Sequence, residues 1–355
     1  MKKSLLLSTL LILPLQLFSQ EYSRAIEKAD SVVQSFVRST SLPGMSISVF
    51  VGENMIWSEG YGFADIENQV PVNPSLTKFR IGSVSKTLTS AGMGVLMQEG
   101  VLDPDQIVQT YVPDFPEKKY PITVKQVAGH IAGIRHYNGG EFMSRKLYPT
   151  VSSGLEIFKG DPLLFEPGTD YRYSSYGWNL ISAVIEGASG EEFLPFMEQH
   201  VFKPFGMNNT VPEWSNQDIP NLTKFYVVGG IGNMEADFVD NSYKWAGGGF
   251  VGTTEDLIRF GKELLDYDFL NEETQEQLMF PQETTNGNST NYGMGWRSWV
   301  NNNRYWVGHS GGSVGGSTMF LMNKQHRIII AYTINRSNVG FDSLHFKIAD
   351  LFLEE

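Results

Sequence analysis

The segment that most constrains the fold is an uncharged stretch, residues 87–98 (TLTSAGMGVLMQ), which is followed by Gly100. Small and apolar residues recur on every face at helical spacing, and a glycine is a typical helix stop. The pattern therefore predicts a helix that is buried all round rather than amphipathic. The rest of the chain must supply a core around it.

A serine and a lysine lie at the start of this helix. Ser83 and Lys86 are three residues apart, so their side chains share one face. A buried, unpaired ammonium is costly and tends to lose its proton. A neutral lysine beside a hydroxyl can act as general base for a serine nucleophile, and a helix N-terminus offers N–H donors for an oxyanion. Ser83 and Lys86 are therefore a candidate catalytic pair.

The same Ser-x-x-Lys pattern occurs a second time, at Ser75 and Lys78. This copy follows Pro74 and precedes a run that does not favour a helix, so we interpret it as a surface feature. Because a short motif is only a hypothesis until its context agrees, the assignment depends on the remaining chain.

Composition excludes several classes of function. The chain has 355 residues, no cysteine, a net charge of -12 and 41% hydrophobic residues, which suits one elaborate domain or two lobes. The acidic balance argues against nucleic acid, and the lack of cysteine excludes disulfides, a thiolate nucleophile and cysteine-ligated zinc. His130 and His136 have no carboxylate at ligand spacing, so we expect loop histidines bonded to backbone, and neither a metal nor a cofactor.

The N-terminus has the pattern of a secretory signal. Lys2 and Lys3 precede an apolar run over residues 5–13, and Ser19 or Gln20 marks the probable cleavage position. The run is shorter than the roughly 20 residues that a membrane span needs. We therefore expect residues 1–20 to be a signal peptide, no membrane span after cleavage, and a bacterial protein that is periplasmic or secreted.

Strand patterns occur near both ends of the chain and helical patterns in its middle. The predicted class is therefore α+β, with one antiparallel sheet built from both termini, flanked by helices and carrying an inserted helical lobe. The sheet lobe would comprise residues 21–103 and 286–355, the helical lobe residues 104–285, and the site the cleft between them. Helices are predicted over residues 24–40, 177–188, 191–202, 254–265 and 341–353, and strands over residues 45–51, from 55 onward, 292–300, 304–309, 317–322 and 327–335.

Residues 308–312 (GHSGG) match the Gly-x-Ser-x-Gly nucleophile elbow of α/β-hydrolases. That elbow needs a helix directly after the serine, whereas the residues that follow here favour a loop and a strand, so we reject it. The same residues place His309, Ser310 and Gly311 at the end of a predicted strand, with glycines that let a ligand approach the backbone.

Three elements in chain order now carry a family resemblance: Ser83 to Lys86, then Tyr173-Ser174-Ser175, then His309-Ser310-Gly311. With the flanking runs GHIAGIRHY, WAGGGFVGTTEDLIRF and NYGMGWRSW, they resemble the serine β-lactamase and penicillin-binding-protein superfamily in its class C branch. The wording GIRHY is most similar to the mitochondrial β-lactamase-like peptidases of that superfamily. The resemblance spans roughly residues 36–335 and implies the β-lactamase/transpeptidase-like fold, in agreement with the predicted sheet and helical lobe.

The resemblance implies a role for each matched residue. Ser83 would be the nucleophile, Lys86 its activating partner and Tyr173 the proton shuttle to the leaving group, with Lys86 and a protonated His309 stabilising the phenolate. Whether Lys86 or Tyr173 takes the first proton is left open. The backbone N–H groups of Ser83 and Gly312 would form the oxyanion hole. Substrate would bind along the strand edge beside Ser175, His309, Ser310 and Gly311.

Two departures from the family pattern affect the expected substrate. Ser175 stands where the family usually has asparagine, and His309 stands where the lactamases have lysine. A short hydroxyl holds a substrate amide less well than asparagine does, and a mostly neutral imidazole holds a substrate carboxylate less well than lysine does. We therefore predict a serine hydrolase acting on small-molecule or peptide amides, peptidase-like or D-amino-acid-peptidase-like, with poor penicillin hydrolysis. A carboxylesterase on the same site and a penicillin-binding sensor without turnover remain the alternatives.

Overall fold

An antiparallel sheet of seven strands organises the protein. The computed structural model describes residues 22–230 and 232–353, so the predicted signal peptide lies outside the described residues. The strand order is β3-β2-β1-β12-β11-β10-β9, and both ends of the chain meet where β1 pairs with β12, Met45 opposite Ile334. These strands are β1 Gly44–Val51, β2 Asn54–Asp65, β3 Val70–Pro71, β9 Arg297–Asn301, β10 Arg304–Ser313, β11 Gly316–Asn323 and β12 Ile328–Ile334. The α+β class with a sheet built from both termini is confirmed.

Helices cover both faces of this sheet. The α-helices are α1 Ser23–Ser39, α2 Ser85–Gln98, α3 Val124–Ala128, α4 Val151–Leu155, α5 Ser175–Ser189, α6 Phe193–Met197, α7 Trp245–Gly248, α8 Thr254–Asp266, α9 Glu272–Met279 and α10 Leu344–Leu353. Helices α1 and α10 share one apolar core with the sheet, and α2, α5 and α8 belong to a second core on its other side. None of the helices in the described ranges is long and apolar enough to cross a membrane.

Strand β1 contains two buried serines, and both can be explained by the helices that cover the two faces of the sheet. The whole strand is buried, although Ser46 and Ser48 alternate with apolar residues. Both hydroxyls lie 2.8 Å from the hydroxyl of Thr254, the first residue of α8. A buried hydroxyl needs a partner, so these bonds let a polar face of the strand pack against a helix.

The segment between the two parts of the sheet contains α3 to α9 and also short strands. These are β5 Val211–Pro212, β6 Tyr226–Gly229, β7 Gly232–Glu235 and β8 Phe250–Gly252, and β8 pairs with both β5 and β4 Phe79–Arg80. The predicted helix over residues 191–202 is divided into α6 and a π-helical turn, Glu198–Phe202.

Two predicted elements begin later than the patterns suggested. The predicted strand over residues 292–300 begins only at Arg297, because Asn291 and Gly295 adopt positive φ angles of 52° and 93° that interrupt an extended chain. The last helix begins at Leu344 rather than at residue 341, because Asp342 and Ser343 have positive φ angles.

The uncharged segment is confirmed as a helix buried on all sides. Residues from Ser85 to Leu96 of α2 are all buried, and a 3₁₀ turn, Gly82–Val84, precedes it. The second Ser-x-x-Lys copy was wrongly interpreted as a surface feature. Lys78 is buried, and its Nζ donates to Asn209 Oδ1 and to the Pro220 carbonyl oxygen, both at 3.1 Å. It is a structural lysine whose neighbours come from a distant loop.

Candidate active site

Ser83 and Lys86 meet at the N-terminal end of α2. Ser83 lies in the 3₁₀ turn and is partly exposed, whereas Lys86, in the first turn of α2, is fully buried. The Lys86 Nζ lies 3.2 Å from Ser83 Oγ. The predicted pairing across one helical turn is therefore present in the structure, with the hydroxyl facing solvent and the amine behind it.

Lys86 is held by a carbonyl rather than by a carboxylate. Its Nζ donates to the carbonyl oxygen of Gly247 in α7 at 2.6 Å. Burial, reinforced by the charges of Lys244 and Arg297, lowers the pKa of Lys86 well below its ordinary value. A neutral amine still donates to Gly247 and keeps a lone pair for the Ser83 proton.

Tyr173 reaches the nucleophile from the segment before α5. Its hydroxyl lies 2.8 Å from Ser83 Oγ, and Lys86 Nζ lies 4.9 Å from the centre of its ring. Burial raises the pKa of Tyr173, and the bond to Ser83 and the charge of Arg297 oppose that rise only in part. The phenol is therefore protonated at neutral pH, and Tyr173 rather than Tyr171 or Tyr176 contacts Ser83.

Ser175 is the first residue of α5 and is buried. Its Oγ lies 3.3 Å from Lys86 Nζ, so the hydroxyl occupies the position beside the lysine that the family pattern gives to asparagine. A hydroxyl is one donor with two lone pairs, whereas an amide adds a second donor and a longer reach. Ser175 therefore contacts Lys86 but offers a substrate carbonyl fewer hydrogen-bond donors than asparagine would.

His309 is neutral in this structure, so the idea of a protonated His309 beside the phenolate is wrong. Its Nδ1 lies 2.6 Å from the Ser310 carbonyl oxygen, which only accepts, so Nδ1 carries the proton. Its Nε2 then accepts from the Tyr292 hydroxyl at 2.9 Å. Burial, with the charge of Arg297, lowers the pKa of His309 well below its ordinary value. Both ring nitrogens are occupied, and the ring lies 6.1 Å from that of Tyr173.

The 3₁₀ turn that carries Ser83 is in backbone contact with β10. A Cβ added at Gly311 would lie 2.0 Å from the Ile81 carbonyl oxygen and 3.3 Å from Ser83 N, and one at Gly82 would lie 2.8 Å from Gly312 N. Only glycine permits this approach. The N–H groups of Ser83 and Gly312, the predicted oxyanion donors, are thereby brought to adjacent segments. Strand β10 continues to Ser313 and turns directly into β11, so no helix follows Ser310 and the elbow is rightly rejected.

Arg297 is a site residue that the sequence reasoning missed. Its guanidinium carbon lies 5.7 Å from the ring centre of Tyr173 and 5.8 Å from that of Tyr292. Within residues 22–230 and 232–353 no carboxylate pairs with this guanidinium, and its buried Nε has no hydrogen-bond partner. Arg297, and not His309, is therefore a cation beside Tyr173. In the sequence, Arg297 could have been noticed as the single charged residue of the run YGMGWRSWV.

Lys244 is a second missed cation. It is buried directly before α7, and its Nζ lies 4.4 Å from the ring centre of Phe142, 5.3 Å from that of Tyr243 and 5.8 Å from that of Tyr137. Burial, with the charge of Arg80, lowers the pKa of Lys244 to about 7. The three ring faces, together with Glu213 and Asp240, favour its charged form.

The two loop histidines are bonded to backbone, as predicted. Ser174 N donates to His130 Nδ1 at 3.1 Å, and Ser175 N donates to His136 Nδ1 at 3.0 Å. No group of three or more histidine, aspartate or glutamate side chains that would suit a metal ion occurs in the described ranges.

Fold and site together define a serine hydrolase centre of the β-lactamase and penicillin-binding-protein type. The model of the beta-lactamase family matches residues 29–351, and the chain belongs to this family of serine hydrolases.

Relatives and solved structures agree with this placement. The chain is 30% identical, over an alignment 440 positions long, to the human serine beta-lactamase-like protein LACTB, mitochondrial, covering 93% of this chain and 80% of the relative. The octameric penicillin-binding protein homologue from Pyrococcus abyssi shares the fold at a TM-score of 0.80 and 22% identity, over 93% of this chain and 78% of that one. The D-amino acid amidase from Ochrobactrum anthropi SV3 shares it at a TM-score of 0.78 and 19% identity, over 92% and 98%.

Proposed function

We propose that this protein cleaves peptide or other amide bonds through an acyl-enzyme on Ser83. The observation that carries the proposal is that Ser83 Oγ lies within hydrogen-bond distance of two groups at once, Tyr173 OH at 2.8 Å and Lys86 Nζ at 3.2 Å. A nucleophile needs a base within this reach, and an amide leaving group needs an acid.

The protonation states divide these two roles. Burial disfavours the charged form of Lys86 and the ionised form of Tyr173, so we assign the proton of the Ser83 hydroxyl to Lys86 while Oγ attacks the carbonyl carbon. The negative charge on the carbonyl oxygen is received by the N–H groups of Ser83 and Gly312. Tyr173 then gives its proton to the departing nitrogen, and the Lys86 ammonium reprotonates the phenolate. In the second half, Tyr173 passes its proton to Lys86 and takes one from the water that attacks the ester carbon. The Lys86 ammonium then returns a proton to Ser83 Oγ as the ester bond breaks and the acid is released.

Arg297 supports a substrate with a carboxylate near the scissile bond. Its guanidinium lies over the Tyr173 and Tyr292 rings and has no carboxylate partner among the described side chains. Guanidinium binds carboxylate through paired N–H donors, a role that the neutral His309 cannot fill. We therefore propose a peptidase or D-amino-acid-peptidase-like activity on substrates that end in a free carboxylate, with weak hydrolysis of penicillins.

A substrate-profiling experiment tests the reaction. Wild type and Ser83→Ala are compared with a fluorophosphonate probe and then with peptide amides, p-nitrophenyl esters and penicillins. We expect labelling only of wild type and turnover of peptide amides. Labelling that persists in Ser83→Ala refutes the nucleophile. Turnover of esters alone favours the carboxylesterase. Labelling without turnover of any substrate favours the sensor, the alternative that Ser175 in place of asparagine supports.

A matched pair of variants tests the carboxylate preference. Arg297→Gln should raise KM for peptides with a free C-terminal carboxylate and leave the same peptides with an amidated C-terminus unaffected. Arg304→Gln is the control, because Arg304 lies on the same β9–β10 hairpin but pairs with Asp350. Equal losses on both kinds of peptide would refute the assignment of Arg297.

We also propose that the protein is exported in a bacterium, to the periplasm or the medium. The support is the basic, then apolar, then small-residue pattern of residues 1–20. Cell fractionation with N-terminal sequencing of the mature protein tests it, and an uncleaved chain found in the cytoplasm would refute it.

A further inference from the structure

A single loop contributes two imidazoles to the backbone around Tyr173. His130 Nδ1 accepts the N–H of Ser174 at 3.1 Å, and His136 Nδ1 accepts the N–H of Ser175 at 3.0 Å. These are the residues that directly follow Tyr173 and begin α5. The first N–H groups of a helix have no partner within the helix, so these imidazoles supply acceptors that α5 itself lacks.

The same loop also holds the residue before Tyr173. Arg172 N donates to the His130 carbonyl oxygen at 2.9 Å, and Ser174 Oγ donates to the Arg135 carbonyl oxygen at 2.6 Å. Main-chain groups on both sides of Tyr173 are therefore bonded to residues 130–136. His130 adopts a positive φ of 64°, in the left-handed region that few residues other than glycine occupy.

Both rings also contact the tyrosine itself. The His130 ring centre lies 4.3 Å from that of Tyr173, and the His136 ring stands edge-on to it at 5.6 Å. The Tyr173 hydroxyl bonds to Ser83 Oγ at 2.8 Å, and it also interacts with the Ser175 side chain. These ring contacts and the backbone bonds on both sides of Tyr173 therefore help to fix the direction of the phenol.

Each imidazole accepts only while its Nδ1 carries no proton. Burial, together with the charge of Arg297, lowers the pKa of His130 well below its ordinary value. Burial, with the charge of Lys244, lowers the pKa of His136 to about 4. Both rings are therefore neutral acceptors at neutral pH, in agreement with the direction of the two hydrogen bonds.

We propose that His130 and His136 are positioning residues that aim the Tyr173 hydroxyl at Ser83 Oγ by accepting the N–H groups of Ser174 and Ser175. This role rests on the proposed acyl-enzyme reaction, in which Tyr173 transfers the proton to the leaving group. Neither histidine touches Ser83. A displacement of a catalytic group by about 1 Å is enough to lower a rate about 100-fold, so backbone anchoring of this kind has a measurable effect on turnover.

A double-mutant cycle tests the proposal. The rate constant for fluorophosphonate labelling, kcat and KM are measured for His136→Phe, His136→Asn, Tyr173→Phe and the double variant His136→Phe with Tyr173→Phe. Phenylalanine keeps a ring but has no acceptor, whereas asparagine offers Oδ1 near the position of Nδ1. His326→Asn, at an exposed histidine in the β11–β12 turn, is the control for substitution as such.

We expect His136→Phe to lower kcat about tenfold with little change in KM, and His136→Asn to recover most of the loss. In the Tyr173→Phe background, His136→Phe should have no further effect, because the group that it positions is gone. Equal losses in both backgrounds, or equal losses from phenylalanine and asparagine, would overturn the proposal.

Two controls keep the result unambiguous. If His136→Phe does not fold, as its melting curve will show, His136→Leu, smaller and also without an acceptor, takes its place in the cycle. If Tyr173→Phe alone leaves kcat unchanged, the proposed reaction is refuted. If Tyr173→Phe lowers kcat but His136→Phe has the same effect with and without Tyr173, only the positioning role is refuted.

Discussion

Lys86 donates a hydrogen bond of 2.6 Å to the carbonyl oxygen of Gly247, and no carboxylate of the described residues bonds to its Nζ. The bond joins the first turn of α2 to α7, which lie far apart in sequence. A carbonyl can accept from an ammonium or from a neutral amine, although the charged donor bonds more strongly. It therefore fixes the position of Nζ without compelling Lys86 to keep its proton, unlike an ion pair.

The depressed pKa of Lys86 predicts a pH dependence of stability. The folded state holds Lys86 neutral while the unfolded chain protonates it up to its ordinary pKa of about 10.5, so the unfolded state binds more protons in this range and the contribution of Lys86 to stability rises with pH. Wild type should gain unfolding free energy relative to Lys86→Met between pH 7 and pH 10. Urea titrations at both pH values check this. A difference that stays constant or shrinks would show that Lys86 is charged in the folded protein.

Lys244 predicts a shift in the pH profile of acylation. Its charge, present below about pH 7, is one of the causes that lower the pKa of Lys86. Lys244→Met removes that charge, so the pKa of Lys86 should rise and the acidic limb of the labelling rate should move to higher pH. Lys244→Arg keeps the charge and is the control. An unchanged limb in Lys244→Met would contradict electrostatic coupling between the two lysines.

The buried ion pair beside the nucleophile predicts a large loss of stability. Arg80 and Glu213 form paired bonds of 2.6 to 3.0 Å, and Asn241 also donates to Glu213. Glu213→Ala leaves a buried guanidinium uncompensated, and the free energy of unfolding should fall by about 3–5 kcal/mol. Denaturant titration measures it. The exposed pair of Glu198 and Lys203 provides the comparison, since Glu198→Ala should cost less than about 1 kcal/mol. Similar losses in the two variants would contradict the prediction.

Two neighbouring glycines of β10 predict opposite outcomes for alanine. A Cβ at Gly311 would lie 2.0 Å from the Ile81 carbonyl oxygen, whereas one at Gly312 would have nothing within 4 Å. Gly311→Ala should therefore lower the free energy of unfolding by about 1–3 kcal/mol and slow fluorophosphonate labelling. Gly312→Ala should melt close to wild type. The close approach of β10 to the Ser83 turn would be refuted if Gly311→Ala were as stable as Gly312→Ala.

The sequence by itself determined the elements that depend on local pattern. An uncharged run long enough for several turns has to become a buried helix, and a spacing of three residues has to place Ser83 and Lys86 on one face of it. The same holds for the strands near both termini, and for the rejection of the elbow at Ser310, where no helical pattern follows. Periodicity and spacing are properties of neighbouring residues, so they are visible in the sequence.

Only the tertiary structure decided which groups surround the site and in which charge state. Burial from all sides makes His309 neutral, and the fold of the β9–β10 hairpin places Arg297 beside Tyr173 instead. The carbonyl of Gly247 and the charge of Lys244 reach Lys86 from a segment remote in sequence. Burial, charge and hydrogen-bond partners depend on segments that meet only after folding, which is why no local pattern contained them.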